Sequence, residues 1–534
     1  MNRIVNPIIP GYYPDPSIIR VDDDFYLTCS SFEMCPGIPV FHSKDLAHWE
    51  QIGNALTVEN DFHMEKNCGV GGLMAPTLRY KNGKYYIINA NFADKGNYIV
   101  TADDPKGPWS RPHWLDDVPG IDASIFFDND GKTYIMGTGQ VWDNGAGVKE
   151  NGIWLAEYDI DNFKMIGEPV AIYNSAMRKG SSPEAPHLYH IGDYYYLMIA
   201  EGGTEHYHSV MIARSKEIFG FYEGNPANPV MTHRNMGFTC PITNVGHADL
   251  VELKDGNWYA VLLGSRLVDG NHKNLGRETF ICPVVWEREW PLFSPATGKI
   301  ENEYEMPESL QPVLYEKVRE REEFDENQLP MHMVFWGTPL DDFWKIEDSK
   351  LKLRCIRQRL DDELQPMKMD GNLKYDRYTA FVGRRQCAVN VMVTARMRFI
   401  AKNNESAGIA AVQAMNHQLH VERALEDGKQ VLKAVVTTAE YDRPPYFPGF
   451  EGQTNRQIIA SVPWEQEEIK GEDFVIRYGE KEGTLQMLCK MDGSVINPEK
   501  VGCMCGTLLG MYATGNGEDS ENMAEFDWFS YREF

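Results

Sequence analysis

A short segment of one kind recurs five times in the first half of the chain. Each copy opens with a small, acidic or histidine residue and continues into apolar sequence. The five copies are Asp15-Pro16-Ser17-Ile18-Ile19, Ala75-Pro76-Thr77-Leu78-Arg79, Asp122-Ala123-Ser124-Ile125-Phe126, Ala185-Pro186-His187-Leu188-Tyr189 and His247-Ala248-Asp249-Leu250-Val251. Their first residues lie 60, 47, 63 and 62 positions apart. Internal repetition on this scale predicts a fold assembled from similar structural units.

Each copy is followed by a turn signal and an aromatic strand. The turns include Asn82-Gly83, Asp130-Gly131 and Asp255-Gly256, and each precedes a run such as Tyr85-Tyr86. Asn-Gly and Asp-Gly between apolar runs favour tight hairpins, because both central positions of the turn need a positive φ. Five β-rich units of this size predict a five-bladed β-propeller, with a sandwich or barrel of accidentally similar segments as the alternative. We therefore expect an all-β chain with this propeller in residues 1–315.

The second half of the chain shows a different β pattern. A charged stretch at 315–323 is typical of a solvated linker. Beyond it, the runs 351–355 and 389–399 alternate apolar and polar residues, as half-buried antiparallel strands do. The sequence predicts a β-sandwich in residues 325–534.

The charge of the chain limits its partners. It carries 78 acidic and 52 basic side chains, for a formal net charge of -26. Such acidity disfavours nucleic acid and anionic membranes as partners. No run of 18 apolar residues or secretion signal is evident, and the ten cysteines form no CxxC pair. We expect a cytoplasmic protein with reduced thiols.

Three carboxylates fall at the starts of repeat segments. In a propeller the innermost strands surround an axis, so Asp15, Asp122 and Glu184 are expected to converge at one mouth of the channel, with His247 beside them. Glu184 directly precedes the aligned Ala185. A strand-start carboxylate often only binds its own turn, but three in register indicate chemistry. Glycoside hydrolysis needs one protonated carboxyl and one ionised carboxylate, and neighbouring carboxyls drive their pKa values apart.

Several aromatic and histidine residues are candidates for binding a sugar. Aromatic rings stack on sugar faces, although each ring taken alone is more often part of the core. The candidates are Phe32, Trp49, Phe126, Trp142 and Tyr207. His206 and His208 have the spacing of a metal-binding pair on a strand, but no third ligand is evident and a polar rim is favoured.

The ordered motifs resemble one known family. They include Tyr12-Tyr13-Pro14-Asp15-Pro16-Ser17, Ser30-Ser31-Phe32-Glu33, Gly120-Ile121-Asp122-Ala123-Ser124, Glu184-Ala185-Pro186-His187-Leu188-Tyr189, Ala200-Glu201-Gly202-Gly203-Thr204, Gly246-His247-Ala248-Asp249 and Leu275-Gly276-Arg277-Glu278-Thr279. Together they resemble glycoside hydrolase family 43, in particular its β-xylosidase and α-L-arabinofuranosidase members with a C-terminal, concanavalin-like β-sandwich. Phe381-Val382-Gly383-Arg384-Arg385-Gln386 and Ala524-Glu525-Phe526-Asp527-Trp528-Phe529 resemble that sandwich.

The resemblance assigns roles position by position. It implies that Asp15 is the general base, that Glu184 is the general acid and that Asp122 raises the pKa of the acid. Asp15 and Asp122 are then expected to be ionised, and Glu184 to be protonated. Arg277, Phe32 and Phe126 match substrate-binding positions. His247 matches a histidine that, in some members, orders water around calcium. No cofactor is required, and calcium is the one ion that the resemblance allows.

The resemblance leaves the substrate open. It implies an inverting, exo-acting enzyme that releases terminal β-D-xylose or α-L-arabinofuranose from oligosaccharides, and it allows a homo-oligomer. Gly72-Leu73-Met74 stands where many members carry a tryptophan, which leaves the preferred sugar undecided. The alternatives are an inactive carbohydrate-binding protein and an endo-acting, arabinanase-like hydrolase.

Overall fold

The computed structural model describes most of the chain. The described residues are 2–62, 72–91, 95–143, 147–174, 182–237, 239–268, 270–339, 342–361, 378–414, 416–441, 452–463, 468–472, 475–479, 486–490 and 505–534. Within these ranges the regular structure is β-strand, with one short 3-10 helix at Val58–Asn60 and no α-helix. None of the described segments is a helix long and apolar enough to cross a membrane.

The predicted propeller is present as five antiparallel sheets of four strands, which we call blades I to V. Blade I contains Ser17–Val21, Asp24–Thr28, Gly37–Ser43 and Glu50–Leu56; blade II contains Leu73–Lys81, Lys84–Asn91, Gly96–Ala102 and His113–Trp114; blade III contains Ile121–Phe127, Thr133–Asp143, Lys149–Asp159 and Lys164–Tyr173; blade IV contains Glu184–Ile191, Tyr194–Glu201, Ser209–Ser215 and Glu223–Gly224; blade V contains Ile242–Glu252, Trp258–Arg266, Glu278–Glu287 and Trp290–Phe293. The first strand of each blade contacts the first strands of both neighbouring blades, which closes a ring around an axis.

The N-terminal segment holds the ring closed. Arg3–Val5 pairs with Glu303–Glu305 in a separate two-stranded sheet. The Asn6 side chain exchanges hydrogen bonds with the backbone of Ile281 on blade V. The first and last blades are therefore tied by sequence that precedes the repeats.

One backbone feature recurs at the five aligned repeat positions. Each of these residues has a positive φ of 50–56°, although none is glycine. They are Asp15, Ala75, Asp122, Ala185 and His247. In blades II to V the innermost strand also shifts register at this point, as a β-bulge does. A bulge with a left-handed residue turns a side chain out of the normal alternation, and proteins keep this strained geometry where it places functional groups.

The C-terminal part forms two sheets packed face to face around a common core, as a β-sandwich does. In chain order, one sheet contains Arg321–Glu322, Trp344–Ile346, Leu351–Arg354, Val391–Arg398, Glu468–Glu472, Val475–Gly479, Gln486–Lys490 and Met523–Glu533. The other contains Met34–Cys35, Val334–Gly337, Tyr378–Arg385, Ser406–Ala414, His417–Glu426, Lys429–Tyr441, Gly452–Pro463 and Leu508–Thr514. Arg321–Glu322 pairs with Met523–Glu533, so part of the charged stretch predicted to be a linker belongs to the sandwich.

The two parts of the chain share a sheet and a core. Met34–Cys35, from an excursion within blade I, pairs with Trp336 and Phe335 of the sandwich. Nε1 of Trp336 also donates a hydrogen bond of 2.7 Å to Oε2 of Glu33. The backbone N–H of Thr507 donates to the carbonyl of Asn274, close to the last strands of blade V. The sandwich is thus fastened to propeller loops that flank Phe32 and Arg277.

Candidate active site

The five left-handed positions bring acidic groups to one end of the channel. Asp15, Asp122 and His247 occupy three of these positions, and Glu184 directly precedes a fourth. Asp15 precedes its innermost strand, Glu184 opens one, and Asp122 is the second residue of another. His247 lies within Ile242–Glu252, beside the bulge of that strand, and reaches the same end through its contact with Asp15. The sequence expectation that these groups converge agrees with this placement.

Asp15 lies in a buried pocket of hydrogen-bond donors. Its Oδ2 accepts a hydrogen bond of 2.5 Å from the Ser30 hydroxyl, and its Oδ1 accepts one of 3.1 Å from Arg277. Nδ1 of His247 lies 3.5 Å from the same Oδ1. Burial alone would raise the pKa of Asp15, but Arg277, His247 and Ser30 outweigh it, and the pKa lies below its usual value. Asp15 is therefore ionised at neutral pH.

Glu184 shows the opposite shift. Burial, followed by the charge of Asp15, raises its pKa from 4.5 to about 7. Burial, followed by the charges of Glu184 and Asp15, also raises the pKa of Asp122. The sequence alone suggested an ionised Asp122 beside a protonated Glu184. In the structure burial raises both pKa values, so Asp122 does not keep the low pKa of an ordinary carboxylate.

The backbone links neighbouring repeat positions. The N–H of Ala185 donates to Oδ2 of Asp122 at 3.1 Å. The Ser30 oxygen, which donates its proton to Asp15, accepts a hydrogen bond of 2.7 Å from the N–H of Ala75. These bonds connect blade III to blade IV and blade I to blade II at the mouth, and they fix where the carboxylates point.

Arg277 approaches the site from the loop before the third strand of blade V. It is almost fully buried and donates both to Asp15 and, at 2.8 Å, to the Thr204 hydroxyl. Its guanidinium carbon lies 5.6 Å from the centroid of the Phe32 ring. Phe32 is itself left-handed, with a φ of 49°, and stacks on Tyr12 at 5.3 Å. Arg277 and Phe32 therefore form one wall beside Asp15.

Phe126 lies elsewhere, which corrects its assignment to this site. It is four residues beyond Asp122 on the same strand and pairs with Tyr134 near the turn at the other end. Its ring packs against Tyr134 and Tyr195 in the apolar core between blades III and IV. The distance along the strand, ~13 Å at 3.3 Å per residue, keeps Phe126 away from the mouth.

The other aromatic candidates divide in the same way. Trp49 packs on the core of blades I and V, and its Nε1 donates to the Leu46 carbonyl. Trp142 lies at the mouth end of the second strand of blade III and is partly exposed. Tyr207 is 66% exposed, on the loop that follows Glu201 at the mouth end of blade IV. Trp142 and Tyr207 remain candidates for binding sugar, whereas Trp49 belongs to the core.

Sequence reasoning missed several groups around the carboxylates. Ser30, Thr204 and Tyr12 contact or flank Asp15, Arg277 and Phe32, and they lie inside motifs that were noted only for their resemblance. His208 is buried, its Nδ1–H donates to the Asn244 carbonyl at 2.9 Å, and burial lowers its pKa to about 3. The structure therefore places His208 inside the protein and not on the polar rim that the sequence favoured.

The residues around His247 do not suit a directly bound calcium ion. Calcium prefers six to eight oxygen ligands. The Asp15 oxygen that lies 3.5 Å from Nδ1 of His247 already pairs with Arg277. Across the part of the chain that the structure describes, no group of three His, Cys, Asp or Glu side chains could hold a metal. The chemistry of a carboxyl pair consumes only water.

Comparison with known proteins agrees with this geometry. Residues 4–291 match the model of glycosyl hydrolases family 43, and residues 321–532 match that of the beta xylosidase C-terminal concanavalin A-like domain. The chain belongs to glycosyl hydrolases family 43. The predicted family, the propeller and the concanavalin-like sandwich are thereby confirmed, and the chain is a glycosidase.

Similar members of family 43 extend over the whole chain. A xylosidase/arabinosidase of Butyrivibrio fibrisolvens is 39% identical, over 99% of each chain. A non-reducing end alpha-L-arabinofuranosidase of Bacteroides ovatus is 37% identical, over 99% of this chain and 94% of its own. The crystal structure of a xylan beta-1,4-xylosidase from Bacillus halodurans superposes with a TM-score of 0.86 at 30% identity, over 99% of this chain and 100% of that one.

Proposed function

We propose that this family 43 enzyme removes terminal β-D-xylose and α-L-arabinofuranose from xylo-oligosaccharides and arabinoxylan fragments, with inversion at the anomeric carbon. The observation that carries this proposal is the opposite pKa shift of two carboxyls at one mouth. The pKa of Asp15 is lowered and that of Glu184 is raised to about 7. This gives an ionised base and a protonated acid at the same pH.

The proposed reaction is a single displacement. Asp15 takes a proton from water while the water oxygen attacks the anomeric carbon. Glu184 gives its proton to the glycosidic oxygen as the bond from that oxygen to the anomeric carbon breaks. The products are a sugar of inverted configuration and a free alcohol. An inverting pair stands ~6.5–9.5 Å apart to admit this water.

The remaining groups hold the sugar and the carboxyls in place. Arg277 is proposed to bind sugar hydroxyls while it keeps Asp15 ionised, because a guanidinium presents several donors in a fixed geometry. Phe32 offers its ring to the sugar face. Asp122 is proposed to orient the strand that carries Glu184, because it accepts a hydrogen bond from the N–H of Ala185. It is also proposed to share the carboxyl proton of Glu184. The raised pKa of the pair would be a useless cost in a protein that only binds sugar, which disfavours the inactive alternative.

The sandwich supports exo action. Its strand at Val334–Gly337 pairs with Met34–Cys35 beside Phe32, and its residue Thr507 binds Asn274 near Arg277. Protein mass on both sides of one wall limits the space for a long chain to cross the mouth. This favours a pocket for chain ends over the groove that an endo-acting, arabinanase-like enzyme needs.

The test combines activity, stereochemistry and two variants. Nitrophenyl β-D-xyloside and nitrophenyl α-L-arabinofuranoside are each incubated with enzyme, and the first-formed anomer is followed by proton NMR. Hydrolysis of both with inversion is expected. Asp15→Ala and Glu184→Ala are each expected to abolish hydrolysis of unactivated oligosaccharides while the circular dichroism spectrum stays native. Retention of configuration, or undiminished turnover in either variant, contradicts the proposal.

A further inference from the structure

Besides the three carboxyls of the site, a further buried carboxylate lies on an innermost strand below them. Asp249 is fully buried on the innermost strand of blade V, two residues after His247. Its Oδ2 accepts hydrogen bonds from the Ser17 hydroxyl at 2.7 Å and from the Ile18 N–H at 3.1 Å. Its Oδ1 accepts one of 2.6 Å from the Tyr189 hydroxyl. One carboxylate thus joins the inner strands of blades I, IV and V.

Arg79 supplies the compensating charge from blade II. It donates to Oδ2 of Asp249 at 2.9 Å, and its other terminal nitrogen lies 2.8 Å from Nδ1 of His187. Burial would raise the pKa of Asp249, but Arg79 and the surrounding donors lower it to about 2. The carboxylate is therefore ionised at any working pH. It is not suited to proton transfer, because it is fully buried and stays ionised.

The strands that Asp249 joins are those that carry the proposed base and acid. Ser17 follows Asp15 by two residues, and Tyr189 follows Glu184 by five. At 3.3 Å per residue these are distances of ~7 Å and ~16 Å along nearly rigid strands. The hydrogen bond of the Ser17 hydroxyl therefore fixes the strand that follows the base, and that of the Tyr189 hydroxyl fixes the strand that carries the acid.

We propose that Asp249 is a positioning residue that sets the separation of Asp15 and Glu184 across the channel through its two hydroxyl partners. An inverting enzyme depends on that separation, because the water and the scissile bond must both fit between the carboxyls. The inference rests on the proposed function for the roles of the two catalytic groups. It adds that each hydroxyl controls one half of the reaction.

Leaving groups of different acidity separate the two halves. The phenolate of a phenyl glycoside is a poor leaving group and needs a proton from the acid. The dinitrophenolate of a dinitrophenyl glycoside leaves without protonation. Attack by the base is needed for both. Loosening the acid strand therefore lowers turnover of the phenyl glycoside alone, and loosening the base strand lowers turnover of both substrates.

The two hydroxyls are removed one at a time. Tyr189→Phe is expected to lower kcat/KM for the phenyl glycoside about tenfold and that for the dinitrophenyl glycoside less than about twofold. Ser17→Ala is expected to lower both by the same factor, of about threefold or more. Each hydroxyl also accepts a backbone N–H, from Leu250 and Leu78 respectively, so some loss of thermal stability accompanies both changes.

Tyr195→Phe is the matched control. The Tyr195 hydroxyl donates to the buried Asp128 at 2.7 Å, so it joins blade IV to blade III, whereas the Tyr189 hydroxyl joins blade IV to Asp249 of blade V. This variant loses the same kind of bond and is expected to lower the melting temperature without changing the ratio of the two rates. If Tyr189→Phe lowers both rates equally, or behaves as Tyr195→Phe does, Asp249 is only structural and the inference is overturned.

Failure of the proposed function looks different in this experiment. In that case the wild-type enzyme hydrolyses neither glycoside, or Glu184→Ala does not lose the phenyl glycoside selectively. Asp249→Asn completes the set, because it weakens the hydrogen bonds from both the Ser17 and the Tyr189 hydroxyls. It is expected to combine the two patterns, with a loss on the phenyl glycoside that exceeds either single change. A loss no greater than that of Ser17→Ala contradicts the inference.

Discussion

The N–H of Ala185 donates to Oδ2 of Asp122, so the residue beside the proposed acid is held by the carboxylate of the neighbouring blade. Asp122 is therefore linked to Glu184 in two ways, through this bond and through the electrostatic interaction by which the charge of Glu184 raises the pKa of Asp122. The two effects are separable because an asparagine side chain keeps the accepting oxygen and loses the charge.

We predict that Asp122→Asn and Asp122→Ala differ. Asp122→Ala leaves the Ala185 N–H without its acceptor, and a hydrogen bond to a charged group is worth about 1.5–3 kcal/mol. If that energy holds the acid in place, Asp122→Ala is at least about tenfold slower than Asp122→Asn on unactivated oligosaccharides. Equal rates in a steady-state assay would mean that only the charge matters.

The basic limb of the pH profile is predicted from Glu184. The acid works only when protonated, and its pKa is raised to about 7. The value of kcat/KM should therefore fall as the pH rises through about 7 when an unactivated substrate is used. With Glu184→Gln and a dinitrophenyl glycoside, this limb should vanish, since neither the residue nor the substrate then supplies a titrating acid. A limb near 7 that survives in this variant assigns it to another group.

The acidic limb is predicted from Arg277. Burial raises the pKa of Asp15, and Arg277 is the largest influence that lowers it. The base must be ionised, so activity is lost as the pH falls through this lowered value. Arg277→Met should move the acidic limb to higher pH, whatever its effect on the maximal rate. Arg277→Lys keeps a positive charge near Asp15 and should leave the limb closer to its original position.

Phe32 and Phe126 form a pair of contrasting substitutions. Phe32→Ala removes a ring beside Arg277 and is expected to raise KM for xylosides. Phe126→Ala empties a place in the core between blades III and IV, which costs about 3–5 kcal/mol of stability. It should lower the denaturant midpoint and leave KM unchanged at a temperature where the variant is folded. A raised KM in Phe126→Ala would return this residue to the site.

The repeat made the propeller and its mouth predictable. The five aligned positions, chosen as segment starts, are the five left-handed residues of the inner strands. The alignment succeeded because a bulge accepts few residue types and leaves a local signature. The position of Glu184 was predictable for the same reason, because Glu184 directly precedes Ala185, which is one of the five aligned residues.

Contacts between distant segments were not predictable. Phe126 is an aromatic residue on the strand that carries Asp122, as a residue of the pocket wall could be. Periodicity, however, does not say which end of a strand faces the ligand. The pairing of Met34–Cys35 with the sandwich joins segments 300 residues apart, and neither shows a pattern that names the other. The raised pKa of Asp122 depends on burial and on two neighbouring charges, which only coordinates supply.

Two of the five left-handed positions are occupied by alanine, at Ala75 and Ala185. Aspartate and asparagine tolerate this backbone conformation better than most residues. The ring therefore offers five equivalent backbone positions around one axis, and only some of them carry reactive side chains in this enzyme. A new carboxylate or amide could be installed at Ala75 without redesigning the blades.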